Sequence, residues 1–153
     1  MKLEVRTVTL DAIDYVLEHL SRADRAEMLA AGLQDPPEVF ALAAREAAQA
    51  GAVYADGEPV ALFGVNAMLG EPDRGIVWMI ATDKFAESGV AGAVLSRQVV
   101  GQMRARFAVL SNWVHAEHRR AIRWLKWLGF HVKPEPVGPN GAFLEFEIEG
   151  VHV

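Results

Sequence analysis

His115, Glu117 and His118 are the first residues in this sequence whose types and proximity suggest chemistry. A metal would need more: the two histidines stand three apart, and no cysteine or further carboxylate cluster completes a ligand set. No resident metal is expected. The absence of cysteine also removes disulfides, thiolate nucleophiles and cysteine-held clusters, and it fits a reducing compartment. Ser88 and Ser111 lack the Gly-x-Ser-x-Gly turn that exposes a hydrolase serine, and no Gly-x-x-x-x-Gly-Lys run supports nucleotide triphosphate hydrolysis. Arg119, Arg120, Arg123 and Lys126 crowd four cations into eight residues, and three of them, Arg119, Arg123 and Lys126, share a helical face. Such a stripe can hold phosphates, touch DNA beside the stacking surfaces of Trp124 or Trp127, or simply face water.

The elements that must position these residues are legible from periodicity. Leu3, Val5 and Val8 read as a short opening strand, and Thr9 or Asp11 caps a helix whose Ile13, Val16, Leu17 and Leu20 form one buried face. Ser21 restarts the pattern as a second piece with Met28, Leu29 and Leu33 apolar and Arg22, Asp24, Arg25 and Glu27 polar. Asp35-Pro36-Pro37-Glu38 predicts a third helix, with Asp35 as its cap, running to about Gly51. Asp56-Gly57 between two apolar runs predicts a two-residue hairpin turn. A third run at 76–81 follows a turn over 70–75, and Leu95, Val99, Met103 and Phe107 then mark a long helix over about 89–107. A strand over 109–114 and an amphipathic helix over 117–128 closed by Gly129 come next. Leu144, Phe146 and Ile148 alternate with Glu145, Glu147 and Glu149 in the clearest strand of all. The order predicts an α/β fold: a central mixed, mostly antiparallel twisted sheet with helices on both faces.

At 153 residues, 52% hydrophobic and 23% charged, the chain is expected to form one domain over 1–153 with its own core. Its net charge of -5 argues against a nucleic-acid binder driven by bulk charge. The charged opening residues and the lack of a long apolar run predict a soluble, unprocessed, cytoplasmic protein with no membrane contact.

Residues 118–130 carry a specific resemblance. His118, Ala121, Leu125 and Gly129-Phe130 keep the spacing of the late motif of the GNAT N-acetyltransferases, Asn then Ala, Tyr and Gly-Phe, and the order of elements is similar to that fold. His118 stands where the family has its cofactor-binding asparagine, and Leu125 where it commonly has a tyrosine acid. The family's phosphate loop opens with Gln or Arg and has Gly and then Gly or Ala two apart. Its nearest counterpart here is Ala86-Glu87-Ser88-Gly89-Val90-Ala91, with Glu87 placed to repel the anion. Arg22-Ala23-Asp24-Arg25-Ala26-Glu27, Ser96-Arg97 and the 121–130 segment further resemble a narrower group of short GNAT-like proteins of tailed bacteriophages. That group includes both acetyltransferases and internal virion proteins.

The resemblance implies an acyl-CoA-dependent N-acyltransferase that moves an acetyl group from acetyl-CoA to an amine, on a small molecule or a protein. Positioning does most of that chemistry, helped by a backbone donor for the developing oxyanion and a base. It places the acetyl-CoA thioester at a splayed middle of the sheet near Ile80, Ala81 and Thr82. The pyrophosphate then falls at Gly89, Val90, Ala91 and Gly92, and the rest of the cofactor near His118, Arg119 and Ala121. Asp24 and Glu27 are candidates to receive a cationic amine, with His115, Asn112 and Asp83 as further polar contributors. Two other readings stay open: an inert GNAT-fold phage protein serving as a virion component or host-directed binder, and a DNA-contacting regulator using the basic helix. A homodimer is compatible with any of them.

Overall fold

The computed structural model describes residues 1–151. Strand β1 (Leu3–Arg6) is followed by helix α1 (Leu10–Glu18), which starts where the Thr9 hydroxyl accepts the Ala12 N–H and which buries Ala12, Ile13 and Val16. Ser21 caps helix α2 (Arg22–Ala30) in the same way through the Asp24 N–H, yet no α2 side chain is fully buried. Helix α3 (Pro36–Glu46) begins as expected but not by the expected device. Asp35 sits in the left-handed region at φ 49°, its side chain caps nothing, and the prolines alone set the first turn. Helix α3 also stops five residues short of Gly51, because the Ala48 N–H donates to Val65 and the chain is drawn into strand β2 (Gln49–Ala55).

Asp56 and Gly57 both take positive φ, 52° and 82°, and turn β2 into β3 (Glu58–Met68). The next turn is tighter than predicted: Met68 pairs with Glu71, so β4 (Glu71–Ala81) includes residues expected to be loop. A single helical turn, α4 (Asp83–Ala86), leads to the long helix α5 (Val90–Arg104), then β5 (Val109–His115) and α6 (Arg119–Leu128). Gly129 at φ 106° closes α6. Strand β6 (His131–Val137), a short 3-10 turn (Pro139–Gly141) and β7 (Phe143–Glu149) complete the chain.

These strands form one seven-stranded sheet in the order β1-β2-β3-β4-β5-β7-β6, antiparallel at every junction except the parallel β4/β5 pair. Helices cover both faces, as predicted. On one face Ile13, Val16 and Phe40 pack on Ala52, Leu62 and Ile80. On the other, Met103, Leu125 and Leu128 pack on Phe63, Val65, Leu110 and Phe146. The outer strands are blunt: β1 is four residues long with Glu4 and Arg6 exposed, and β6 carries Pro134 and Pro136 where its register with β7 breaks. Among the described residues, no helix is long and apolar enough to cross a membrane.

Candidate active site

The parallel junction holds for only three pairs, Arg74 with Val109, Gly75 with Leu110 and Ile76 with Ser111. Beyond them β4 stays zipped to β3 as far as Ala81, and β5 stays zipped to β7 as far as His115, so the two strands diverge into a fork. Asn112 stands at its root. Its Nδ2 donates to the Val77 carbonyl at 2.6 Å, and its Oδ1 accepts the Trp113 N–H at 2.7 Å, so one side-chain amide takes the place of the next ladder bonds.

Strand alternation fixes which peptides look into the fork. The Thr82 N–H donates to Val60 on β3, so Val77, Met79 and Ala81 turn their peptide groups away from β3 and into the gap. On β5, Trp113 and His115 face it by the same logic, since the flanking Ala116 N–H goes to Ala142, just ahead of β7. Most of these groups have partners. Ala81 N–H donates to Asp24 Oδ2 at 2.9 Å and Ala81 C=O accepts from the Ser21 N–H at 2.9 Å. His115 N–H donates to Glu27 Oε1 at 2.6 Å, and His115 C=O accepts from the His118 N–H at 3.0 Å. Met79, between two engaged peptides, is the strand position left to offer an N–H and a C=O to a ligand lying in the fork.

Helix α2 thus delivers two carboxylates to the mouth, and the start of α6 delivers an imidazole. His118 Nε2 lies 3.3 Å from Asp24 Oδ1, with side-chain exposures of only 16% and 17%. The hydrogen bond to Asp24 raises the His118 pKa above its ordinary 6.5, against an opposing effect of burial. Burial pushes the Glu27 carboxyl above its ordinary 4.5, against the lowering effect of the His115 N–H. His115 itself uses Nδ1 to accept the Glu117 N–H and rests edge-on against Phe143. Trp113 lies tilted against the same Phe143 and is 47% exposed, on the sheet face beside the fork.

Behind the fork stands the start of α5. Gly89, at φ 57°, is its cap, and no side chain caps the helix. A Cβ on Gly92 would come within 2.2 Å of the Ser88 hydroxyl, so that position of the first turn is kept free of a side chain. The cation that the sequence lacks at Ala86 comes from elsewhere: Arg120 on α6 donates from its guanidinium to the Ala86 carbonyl at 3.4 Å. That arrangement gives an electropositive helix start next to an arginine, the environment in which phosphates bind.

Of the residues singled out from sequence, Asp24, Glu27, His115, His118 and Ala81 come together at the fork mouth. The Ala81 N–H is not free as an oxyanion donor, because Asp24 holds it. Ile80 is buried in the opposite layer, and Thr82 gives both its N–H and its hydroxyl to Val60. Gly89, Val90, Ala91 and Gly92 form the α5 start. Ala121 packs against the core, whereas Arg119 and Asp83 are exposed. Met79 was missed because a peptide group has no side-chain signature; Arg120 was counted among the cations of its helix, but only its place opposite Ala86 distinguishes it from its neighbours. No group of three metal-binding side chains exists among the described residues. A groove of about 610 Å3 between the start of α1 and the end of α3, lined by Thr9, Ile13, Ala44 and Ala48, does not touch the fork.

A seven-stranded sheet forked between two parallel strands, with a bare helix start behind the fork, is the GNAT acetyltransferase fold, and solved structures bear this out. The chain superposes on the ribosomal-protein-S18-alanine N-acetyltransferase of Escherichia coli with a TM-score of 0.70 at 18% identity, covering 99% of this chain and 96% of that one. An N-acetyltransferase from Staphylococcus aureus Mu50 matches with a TM-score of 0.71 at 13% identity, covering 97% and 99%. The aminoglycoside acetyltransferase AAC(6')-Ib, in complex with coenzyme A and kanamycin, matches with a TM-score of 0.71 at 18% identity, covering 97% and 95%. At these identities the likeness establishes the fold. No protein-family model and no curated protein matches the chain.

Proposed function

We propose that the chain is an acyl-CoA-dependent N-acyltransferase whose reaction centre is the fork between β4 and β5. The observation that carries this reading is the divergence of two strands that each remain fully paired on their outer side, which leaves Met79 peptide groups facing a slot. A slender chain bearing amides can satisfy such groups as an extra strand would. Gly89, Val90 and Gly92 at the start of α5, with Arg120, fit a pyrophosphate; Glu87, exposed at the end of α4, opposes it. His118, Arg119 and Ala121 flank the same route. Acetyl-CoA would supply an acyl group activated as a thioester.

The chain's own residues then have distinct tasks. The Met79 N–H polarises the acyl carbonyl. Glu27, whose buried carboxyl has a raised pKa and so is a stronger base than an ordinary glutamate, takes one proton from the acceptor's ammonium so that the nitrogen lone pair can attack. The carbon–nitrogen bond forms as the carbon–sulfur bond breaks, and the second nitrogen proton passes to the departing thiolate. Asp24 adds negative charge that draws a cationic amine to the mouth. His115 holds Glu27 through its backbone N–H, and the exposed ring of Trp113 offers the acceptor a face on which a cation can rest. Aminoglycosides are acceptors of this charge among the structural neighbours, and a small cationic amine is the acceptor class proposed here.

One observation favours a second reading. The Ala81 N–H is already held by Asp24, as suits a GNAT-fold protein that no longer transfers an acyl group, such as the non-catalytic virion or host-binding component of the phage-protein resemblance. Release of free thiol from acetyl-CoA, measured against a panel of polyamines, aminoglycosides and amino-terminal peptides, separates the two. Amine-dependent release that Glu27→Gln lowers by about a hundredfold supports the transferase; no release with any amine, together with no acetyl-CoA binding, supports the second.

A further inference from the structure

We infer that α2 is an autoinhibitory clasp that closes the fork in the resting protein and must lift before an extended ligand can lie in it. This inference rests on the reading of the fork as the acyl-CoA slot. Asp24 and Glu27 sit on one face of α2 and reach different strands: Asp24 takes the Ala81 N–H of β4, and Glu27 takes the His115 N–H of β5. The Ser21 N–H, just ahead of α2, takes the Ala81 C=O. One short helix therefore ties both prongs of the fork at their tips. A carboxylate oxygen on Ala81 N–H occupies the place where a ligand carbonyl would be received.

Helix α2 is held by these polar bonds more than by packing. None of its side chains is buried, Leu29 is 77% exposed, and Met28 and Leu29 rim a cavity of about 200 Å3 with Leu17, Leu20, Leu33 and Pro36. A helix that packs on the core mainly through Met28, and otherwise borders an open hollow, loses little contact when it moves. Its far end runs into Gly32 at φ 69°, with open space where a side chain would be, a point able to absorb a change of backbone angle. The charged groups facing the clasp are Asp24 and Glu27 of α2, His115 of β5, and His118 and Arg120 at the start of α6. Opening exposes Glu27 and parts His118 from Asp24 while the ligand enters; α2 then settles back over the filled fork, which buries Glu27 again as its role as the base requires.

A ligand that binds only the open form has its apparent affinity reduced by the open fraction. Amide hydrogen exchange of the full chain, with calorimetric titration of acetyl-CoA, tests this in the wild type, Asp24→Ala and Glu27→Ala. Asp24→Ala is expected to speed exchange at both Ala81 and His115, although it removes the partner of Ala81 alone, and to tighten acetyl-CoA binding by up to about tenfold. Glu27→Ala should do the converse, freeing Ala81 as well as His115, and it serves should Asp24→Ala fail to fold. Faster exchange confined to the residue that lost its partner, or acetyl-CoA binding that is equal or weaker in the variants, overturns the clasp and leaves the site reading intact. Coupled exchange with no acetyl-CoA binding in any of the three proteins upholds the clasp as a moving unit and overturns the acyl-CoA reading instead.

Discussion

Asn112 shows how much of the site hangs on single groups. Its amide satisfies the Val77 carbonyl and the Trp113 N–H at the point where β4 and β5 part, so Asn112→Ala leaves two peptide groups without partners. A loss of about 1–3 kcal/mol in stability is expected from urea titration, and a loss of a few tenths would mean that the root of the fork is open to water. Asn112→Asp should be no better, since a carboxylate cannot donate to Val77. The titrating residues point in a common direction with pH. The folded pKa of His118 is raised, so the stability it contributes is complete below 6.5 and is lost as pH rises through the folded value. Glu27 is raised as well, so its protonated form is favoured by folding below 4.5, and that contribution is lost as pH rises through its folded value. The destabilisation caused by His118→Gln should therefore be larger at about pH 5 than at about pH 8. A difference independent of pH would place His118 away from Asp24. Asp24 and Glu27 could be picked out of the sequence as acids of an early helix, but their bonds to Ala81 and His115 span 57 and 88 residues, and only the fold brings those partners together.

At the scale of elements, periodicity gave correct types wherever side chains alternate between core and water. The start of α1, narrowed to Thr9 or Asp11, the restart at Ser21, the Asp56-Gly57 turn and the alternation of β7 were all readable because each is a local rule. The end of α3 was not, since Ala47 and Ala48 are good helix formers, and only the pairing of Ala48 with Val65 pulls the chain into the sheet. The Asp35 cap failed for a related reason: the prolines that follow fix the helix start and leave its side chain idle. The segment proposed to hold the phosphates is the element where sequence and structure part furthest. Its motif looks broken at Ala86, and Arg120 supplies a cation there from a helix some thirty residues on. Arg120→Ala is expected to weaken acetyl-CoA binding by about three- to tenfold while leaving the melting temperature of the free protein within about a degree. Gly92→Val should abolish binding, because the new side chain meets the Ser88 hydroxyl in the first turn of α5. Unaltered affinity in both variants would move the phosphates away from α5.

The whole molecule behaves as the sum of two apolar layers on one sheet. Because α1 and α3 pack on one face of the strands whose other face carries α5 and α6, neither layer has a boundary at which to melt alone. One cooperative thermal transition is expected from calorimetry, with equal van't Hoff and calorimetric enthalpies; two resolved transitions would divide the chain into separate units. Saturating acetyl-CoA should raise that transition by mass action, and at a hundredfold excess over its dissociation constant the gain is about 2.7 kcal/mol. The ends of the sheet carry a different consequence. At one rim the β1 strand is too short and too charged to serve as a template, and at the other Pro134 and Pro136 deny β6 the donors that an incoming ribbon would need. Neither rim therefore favours the fusion of two copies of this chain into one continuous array, which leaves the helices and the exposed ring of Trp113 as the surfaces for any self-association.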